Sequence, residues 1–304
     1  MTTAWVLPGG GSYGAVQAGQ ARALMEAGIF PDMVLGTSVG SLNAAWLAGD
    51  PTREGVERLR RMWLEIRRTQ AFPVDPLRML GGVLRLRNHV MDNAPLGRWL
   101  SSRVSFHNLE DGRLPLTVTA VDVLTGDPVY LDRGPLIPAL LASSALPGIF
   151  PPVEIDGRWL IDGGLAAHTP VTRAVDQGAD RVFVLPSSGT QPFSLTPEAR
   201  GLTEPHGRPS PSPSEPPHTP ASVRAAALGA AIDTTVRLEL ELGAQRCELY
   251  VLPAPNLAGL SSFSFRHARQ LMNAGLALGR RWIAEGAPRV GPGPVAVDGA
   301  PALR

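Results

Sequence analysis

The order of segments along this 304-residue chain predicts an α/β fold with a mostly parallel central sheet. Three observations carry that expectation. Short apolar runs alternate with longer segments of helical spacing through the first fifty residues. Glycine-rich turns follow the first two apolar runs directly and lead straight into helix-like sequence. A β-α-β-α order of this kind implies parallel strands joined by right-handed crossovers.

Taken in order, Ala4 to Leu7 is a short buried strand. Residues Ala15 to Ala27 have helical periodicity, with Gly28 as the C-terminal cap. Met33 to Leu35 is a second strand and Val39 to Ala48 a second helix. Residues 53 to 68 form a basic helix, followed by less regular sequence to about residue 110. Leu116 to Val123 and Val129 to Leu131 are strand-like, and Pro138 to Ser144 is a short helix. Trp159 to Ile161 is a strand leading into Asp162. Thr169 to Gln177 is helical and Val182 to Leu185 is another buried strand. Ala221 to Gly243 is a helix, Glu248 to Leu252 a strand, and Phe265 to Glu285 a last helix.

Between them, residues 186 to 220 hold ten prolines in 35 residues, mixed with Ser, Thr and Gly. Such sequence lacks the apolar surface to offset chain entropy, so a flexible insertion within one domain is expected. The expected organisation is one domain over 1–285 and a disordered Gly/Pro-rich tail over 286–304.

Composition narrows the function. The formal charge is +1, so nothing global favours nucleic acid. All 28 basic residues are Arg, which carries no functional weight. The lone cysteine, Cys247, leaves no intrachain disulfide and fits a reducing, cytoplasmic setting. Cleaving a leader would remove the first strand, so no signal peptide is read. No apolar run reaches the ~20 residues of a spanning helix, so a soluble or peripheral protein is expected. Residues 53 to 87 carry nine Arg against four acids, interleaved with Trp63, Leu64, Met79, Leu80 and Leu84. A solvated helix face over a core-facing stripe is preferred to docking on anionic lipid.

The chemistry concentrates in three turns. Gly36-Thr37-Ser38-Val39-Gly40 has the form G-x-S-x-G. Its glycines allow a tight strand-to-helix turn that exposes Ser38 at a helix N-terminus, with the Val39 N–H as an oxyanion donor. The alternative is an ordinary βα turn with a capping serine. Gly9-Gly10-Gly11 follows the first strand, where successive N–H groups can converge on an anion. Gly9, Gly11 and Gly14 also fit the dinucleotide fingerprint. That fingerprint wants an acid at the end of the second strand, and Asp32 stands at the start instead. Asp162-Gly163-Gly164 offers a carboxylate base, or a plain Asp-Gly turn. Of the six histidines, His206 and His218 lie in the Pro-rich segment, and His89 and His107 in irregular sequence. His267 is the one candidate for a Ser-His-acid triad of α/β-hydrolase type. Together the turns form the parts of a serine acyl hydrolase.

In combination these motifs resemble the patatin-like phospholipase family: G-G-G-x-x-G, G-x-S-x-G and D-G-G in the same order and at similar spacing. The segment from Ala142 through Pro152 is similar to one that the family carries shortly before its D-G-G. The likeness covers roughly residues 4 to 185 and extends more loosely to 285. It implies a three-layer α/β/α sandwich and a Ser–Asp dyad of Ser38 and Asp162. It also implies an oxyanion hole built from Gly9, Gly10 and Gly11 with Val39, and no required cofactor or metal. The implied substrate is an acyl ester of a phospholipid or lysophospholipid. A catalytically silent acyl-binding member is the non-enzymatic alternative. Two residues depart from the family pattern. Tyr13 stands where many members have Arg, and His168 stands where members often have Asn.

Overall fold

The computed structural model describes residues 1–72, 89–188, 220–257 and 260–291. The Pro-rich expectation therefore falls almost wholly outside the described residues, as do residues 73–87 of the basic stretch and most of the tail.

Eight strands form one mixed sheet. They are β1 (Thr3–Leu7), β2 (Met33–Thr37), β3 (Leu116–Asp122), β4 (Pro128–Leu131), β5 (Val153–Ile155), β6 (Arg158–Asp162), β7 (Arg181–Val184) and β8 (Glu248–Val251). The pairing order is β5-β6-β3-β2-β1-β7-β8, with β4 on β3. The expected parallel order holds for β1, β2, β3, β7 and β8. Pairings of β3 with β4, β3 with β6 and β5 with β6 are antiparallel. Asp156 and Gly157 join β5 to β6 with φ of 51° and 74°. Positive φ at both central residues marks a type I′ hairpin turn, which explains the reversal.

The helices are α1 (Ala15–Glu26), α2 (Val39–Gly49), α3 (Arg53–Glu65), α4 (Arg68–Ala71), α5 (Ala94–Ser101), α6 (Leu136–Ser143), α7 (Val171–Asp176), α8 (Pro220–Ala244) and α9 (Ala268–Ala284). Strand alternation sorts them into layers. Trp5 and Leu7 of β1 face one core with α1, α2, α3 and α9. Ala4 and Val6 face the other with α7 and α8. The fold is thus the three-layer α/β/α sandwich.

Three sequence expectations are corrected. The basic helix is broken at Ile66, whose extended backbone (ψ 132°) turns its side chain into the core and separates α3 from α4. The irregular stretch before residue 110 contains α5, which buries Leu96, Trp99 and Leu100 at helical spacing. Of the residues expected in the tail, the described 286–291 stay attached through Val290, which is buried and bridges Leu249. The arginines of α3 are largely satisfied internally. Arg60 reaches Glu57 at 3.1 Å, Arg58 pairs with Asp50, and Arg53 donates to the Met25 carbonyl. Among the described residues, no helix is long and apolar enough to cross a membrane.

α1 is buried along nearly its whole length because α9 crosses it at Gly19 and Gly275. A Cβ on Gly19 would stand 2.0 Å from the Met272 carbonyl oxygen. Gly19→Ala is therefore expected to destabilise the fold by about 2–3 kcal/mol through overpacking. Equilibrium denaturation reads this directly, and an unchanged midpoint would contradict the packing described.

Candidate active site

β2 ends at Thr37 and the chain turns through Ser38 into α2. The turn is tight because its glycines have no room for a side chain. A Cβ on Gly40 would meet the Leu7 carbonyl oxygen at 1.8 Å, and one on Gly36 would meet the Gly40 oxygen at 2.5 Å. Ser38 itself sits at φ 55°, ψ −127°. A non-glycine residue held there costs of order 1–3 kcal/mol, so its surroundings must enforce it. Ser143 supplies part of that enforcement. Its buried hydroxyl accepts from the Ser38 N–H at 2.8 Å and donates to the Thr119 carbonyl at 2.6 Å.

Asp162 reaches the serine from the opposite direction. β2 pairs with β3 up to Thr119, and β6 pairs with β3 from Ala120 onward. β4 overlaps both registers along Val118–Val121 and so lies on the other edge of β3. Consequently β2 and β6 share one edge and meet end to end. Their last residues bring Ser38 Oγ to 2.6 Å from Asp162 Oδ2, with the hydroxyl donating. The Gly164 N–H donates to Asp162 Oδ1 at 2.8 Å. The Asp162 N–H donates to the Ala145 carbonyl at 3.0 Å. Burial pushes the Asp162 carboxyl up to about 6, against the opposing pull of the Ser38 and Gly164 hydrogen bonds.

The glycine turn lies beside this pair. Gly10 has φ 148° and no space for a side chain, because a Cβ would strike Ser187 Oγ. Ser187 donates that hydroxyl to the Gly9 carbonyl. Gly11 opens a short 3-10 turn and Val39 opens α2. N–H groups at helix starts lack intrahelical partners. The base of the turn is held by a buried polar chain. Trp63 Nε1 donates to Asn43 Oδ1 at 2.9 Å, and Asn43 Nδ2 donates to Gln17 Oε1 at 2.7 Å. Gln17 Nε2 donates to the Pro8 carbonyl at 2.8 Å.

All six predicted site residues, Gly9, Gly10, Gly11, Ser38, Val39 and Asp162, line one cavity of about 750 Å³ whose other walls are mainly apolar. Tyr13 also lines it, and its hydroxyl donates to the Leu260 carbonyl at 2.6 Å. It ties the turn to a loop from the C-terminal part of the chain. His168 lines the cavity beside Gly9 and Gly164, with Nδ1 3.3 Å from Thr169 Oγ1. His267 lies just before α9 and is not among the lining residues, so a triad through it finds no support. The position of Asp32 weighs against the dinucleotide reading. Asp32 is spent at the far end of the sheet, accepting from the Thr3 N–H at 2.7 Å. Among the described residues, no group of three or more His, Cys, Asp or Glu is placed to hold a metal ion.

Sequence reasoning missed Ser143, Ser187, Gln17 and Asn43. Only Ser143 carried a signal, through its place in the Ala142–Pro152 segment.

Comparison with known proteins bears on the family and the fold. A family model described as Patatin-like phospholipase matches residues 5–175. An uncharacterized NTE family protein of Mycobacterium tuberculosis is 30% identical over 188 residues, covering 62% of this chain and 49% of the relative. Patatin-like phospholipase domain-containing protein 7 of Rattus norvegicus is 28% identical over 198 residues, covering 64% of this chain and 14% of the relative. The chain thus spans about half the length of the mycobacterial relatives it matches, and less of the others. Among solved structures, VipD from Legionella pneumophila aligns with a TM-score of 0.49 at 14% identity, over 95% of this chain and 68% of that one.

Burying Asp162 has a stability consequence. Its folded pKa, about 6, lies above the ordinary value of 3.8. The folded state therefore holds the proton more tightly, and stability is lost as pH rises from about 4 through 6. Asp162→Asn is expected to stabilise the protein by about 1–3 kcal/mol at pH 8 and to give little gain at pH 4. Denaturant melts at both pH values check this. An equal effect at the two would show that the carboxylate charge is not the cause.

Proposed function

The chain belongs to the patatin-like phospholipase family, and from that premise we propose that it is a serine acyl hydrolase. Its substrate is a carboxylic ester of a phospholipid or lysophospholipid, met at a lipid surface by peripheral contact from the cytoplasmic side. The observation that carries the proposal is the direct 2.6 Å hydrogen bond from Ser38 Oγ to the buried Asp162 carboxylate.

In the proposed reaction Asp162 accepts the Ser38 proton while Oγ attacks the ester carbonyl carbon. The negative charge that forms on the carbonyl oxygen is taken by N–H groups of the glycine turn and of Val39. A donor of this kind contributes about 3–4 kcal/mol of transition-state stabilisation. As the intermediate collapses, the C–O bond to the leaving alcohol breaks and Asp162 returns the proton to that oxygen. Water, deprotonated by the same carboxylate, then releases the fatty acid and regenerates the serine. An aspartate near its ordinary pKa is a weak base for a hydroxyl. Burial that lifts Asp162 to about 6 makes it stronger while leaving it ionised at neutral pH.

Fluorophosphonate labelling with mass-spectrometric mapping tests the assignment. The adduct is expected on Ser38 and is expected to vanish in Asp162→Asn. Its rate should rise about tenfold per pH unit below about 6 and level off above it, because the ionised carboxylate is the reactive form. Labelling elsewhere, or labelling of Asp162→Asn at the native rate, would rule the dyad out.

A further inference from the structure

A second, open cavity of about 940 Å³ adjoins the first. Three arginines edge it, Arg67, Arg68 and Arg266, and no acidic side chain is among its lining in the described residues. Its remaining surface is mostly apolar, including Met91 and Ile149. These arginines differ from their neighbours. Arg22, Arg58, Arg60 and Arg103 all pair with carboxylates. Arg67, Arg68 and Arg266 are exposed and make no ion pair among the described residues. Three like charges gathered without a counter-charge repel one another, and an anion between them relieves that repulsion.

The groove shares a wall with the cavity of the candidate active site. Ile66, Ser261, Phe263 and Phe265 line both cavities. The loop between them is anchored on the glycine turn itself, since the Ser262 carbonyl accepts the Ser12 N–H at 2.8 Å. A molecule with its ester at Ser38 and its anionic end beyond this shared loop would meet the arginines. Guanidinium groups bind phosphate oxygens through paired, charge-assisted hydrogen bonds. The flanking aromatic walls, with Phe72 and Phe263 packed edge to face at 4.9 Å, suit the apolar remainder of the same molecule.

We propose that the Arg67–Arg68–Arg266 groove binds the phosphate of the phospholipid or lysophospholipid whose ester is cleaved at Ser38. The site rests on the hydrolase assignment for the identity of its occupant, and its test separates the two. Ser38→Ala protein removes turnover, so binding is read without catalysis. Calorimetry in neutral detergent micelles compares a lysophosphatidic acid with a monoacylglycerol of the same chain. The phosphorylated lipid is expected to bind at least tenfold tighter. Adding Arg67→Gln and Arg266→Gln should abolish the preference and leave the monoacylglycerol affinity unchanged.

Equal affinity for the two lipids, or a preference that survives both substitutions, would overturn the site. Equal weakening of both lipids would mark the arginines as structural and also overturn it. A preference seen on anionic vesicles but not in neutral micelles would assign the arginines to membrane attraction instead, as would competition by inorganic phosphate without any lipid preference assign them to a free anion. Absence of fluorophosphonate reaction in the unmodified protein would sink the hydrolase assignment while leaving the binding result intact.

Discussion

The whole site depends on two strands that end against each other along one edge of β3. β2 runs parallel to β3 and stops opposite Thr119. β6 runs antiparallel and stops opposite Ala120. Because the stops are adjacent, the residues that leave the two strands must meet. Ser38 and Asp162 are 124 residues apart in sequence and 2.6 Å apart in space for this reason. Neither side chain needs a flexible loop to find the other. If the pair acts as the proposed dyad, its placement by rigid elements lowers the entropic part of the barrier.

The C-terminal end of α6 and the turn after it serve both halves of the pair. Ser143 holds the Ser38 N–H, and the Ala145 carbonyl holds the Asp162 N–H. The strained backbone of Ser38 and the buried carboxylate of Asp162 are each costly on their own, and one segment steadies both. The glycine turn is fixed separately, from beneath by the Trp63–Asn43–Gln17 chain and from above by the loop around Ser262. Trp63 also lines the cavity, so the wall against which substrate would rest is tied by hydrogen bonds to the turn. Such buried networks are favourable only when their polar atoms are paired, and this one leaves its shared donors and acceptors matched.

Much of this was legible in the sequence, and the limits have physical causes. The three turns could be read because close backbone approach demands glycine locally, at Gly36 and Gly40 above all. The first half of the sheet could be read because apolar runs and glycine turns alternate cleanly there. The β5–β6 hairpin was missed although Asp156-Gly157 carries the signal of a type I′ turn, and with it the antiparallel half of the sheet. Ser143 showed only as a member of the Ala142–Pro152 segment, and Ser187 and Gln17 did not show at all, for a different reason. Their roles are set by partners 105, 178 and 9 residues away, through hydrogen bonds that no local pattern encodes. The grouping of Arg67 and Arg68 with Arg266 is likewise a product of folding. In sequence the first two belong to a long basic stretch and the third to a separate segment.

The most direct measurement of the central claim is a crystal structure of the protein carrying a phosphonate adduct on Ser38. Such an adduct mimics the tetrahedral intermediate and fixes the position of its oxyanion. If the account is right, the phosphonyl oxygen will lie about 2.7–3.1 Å from N–H groups of the glycine turn or Val39, with Asp162 still against the former Oγ. An oxygen directed to solvent, or an adduct held by His267 or His168 with Asp162 turned away, would contradict it.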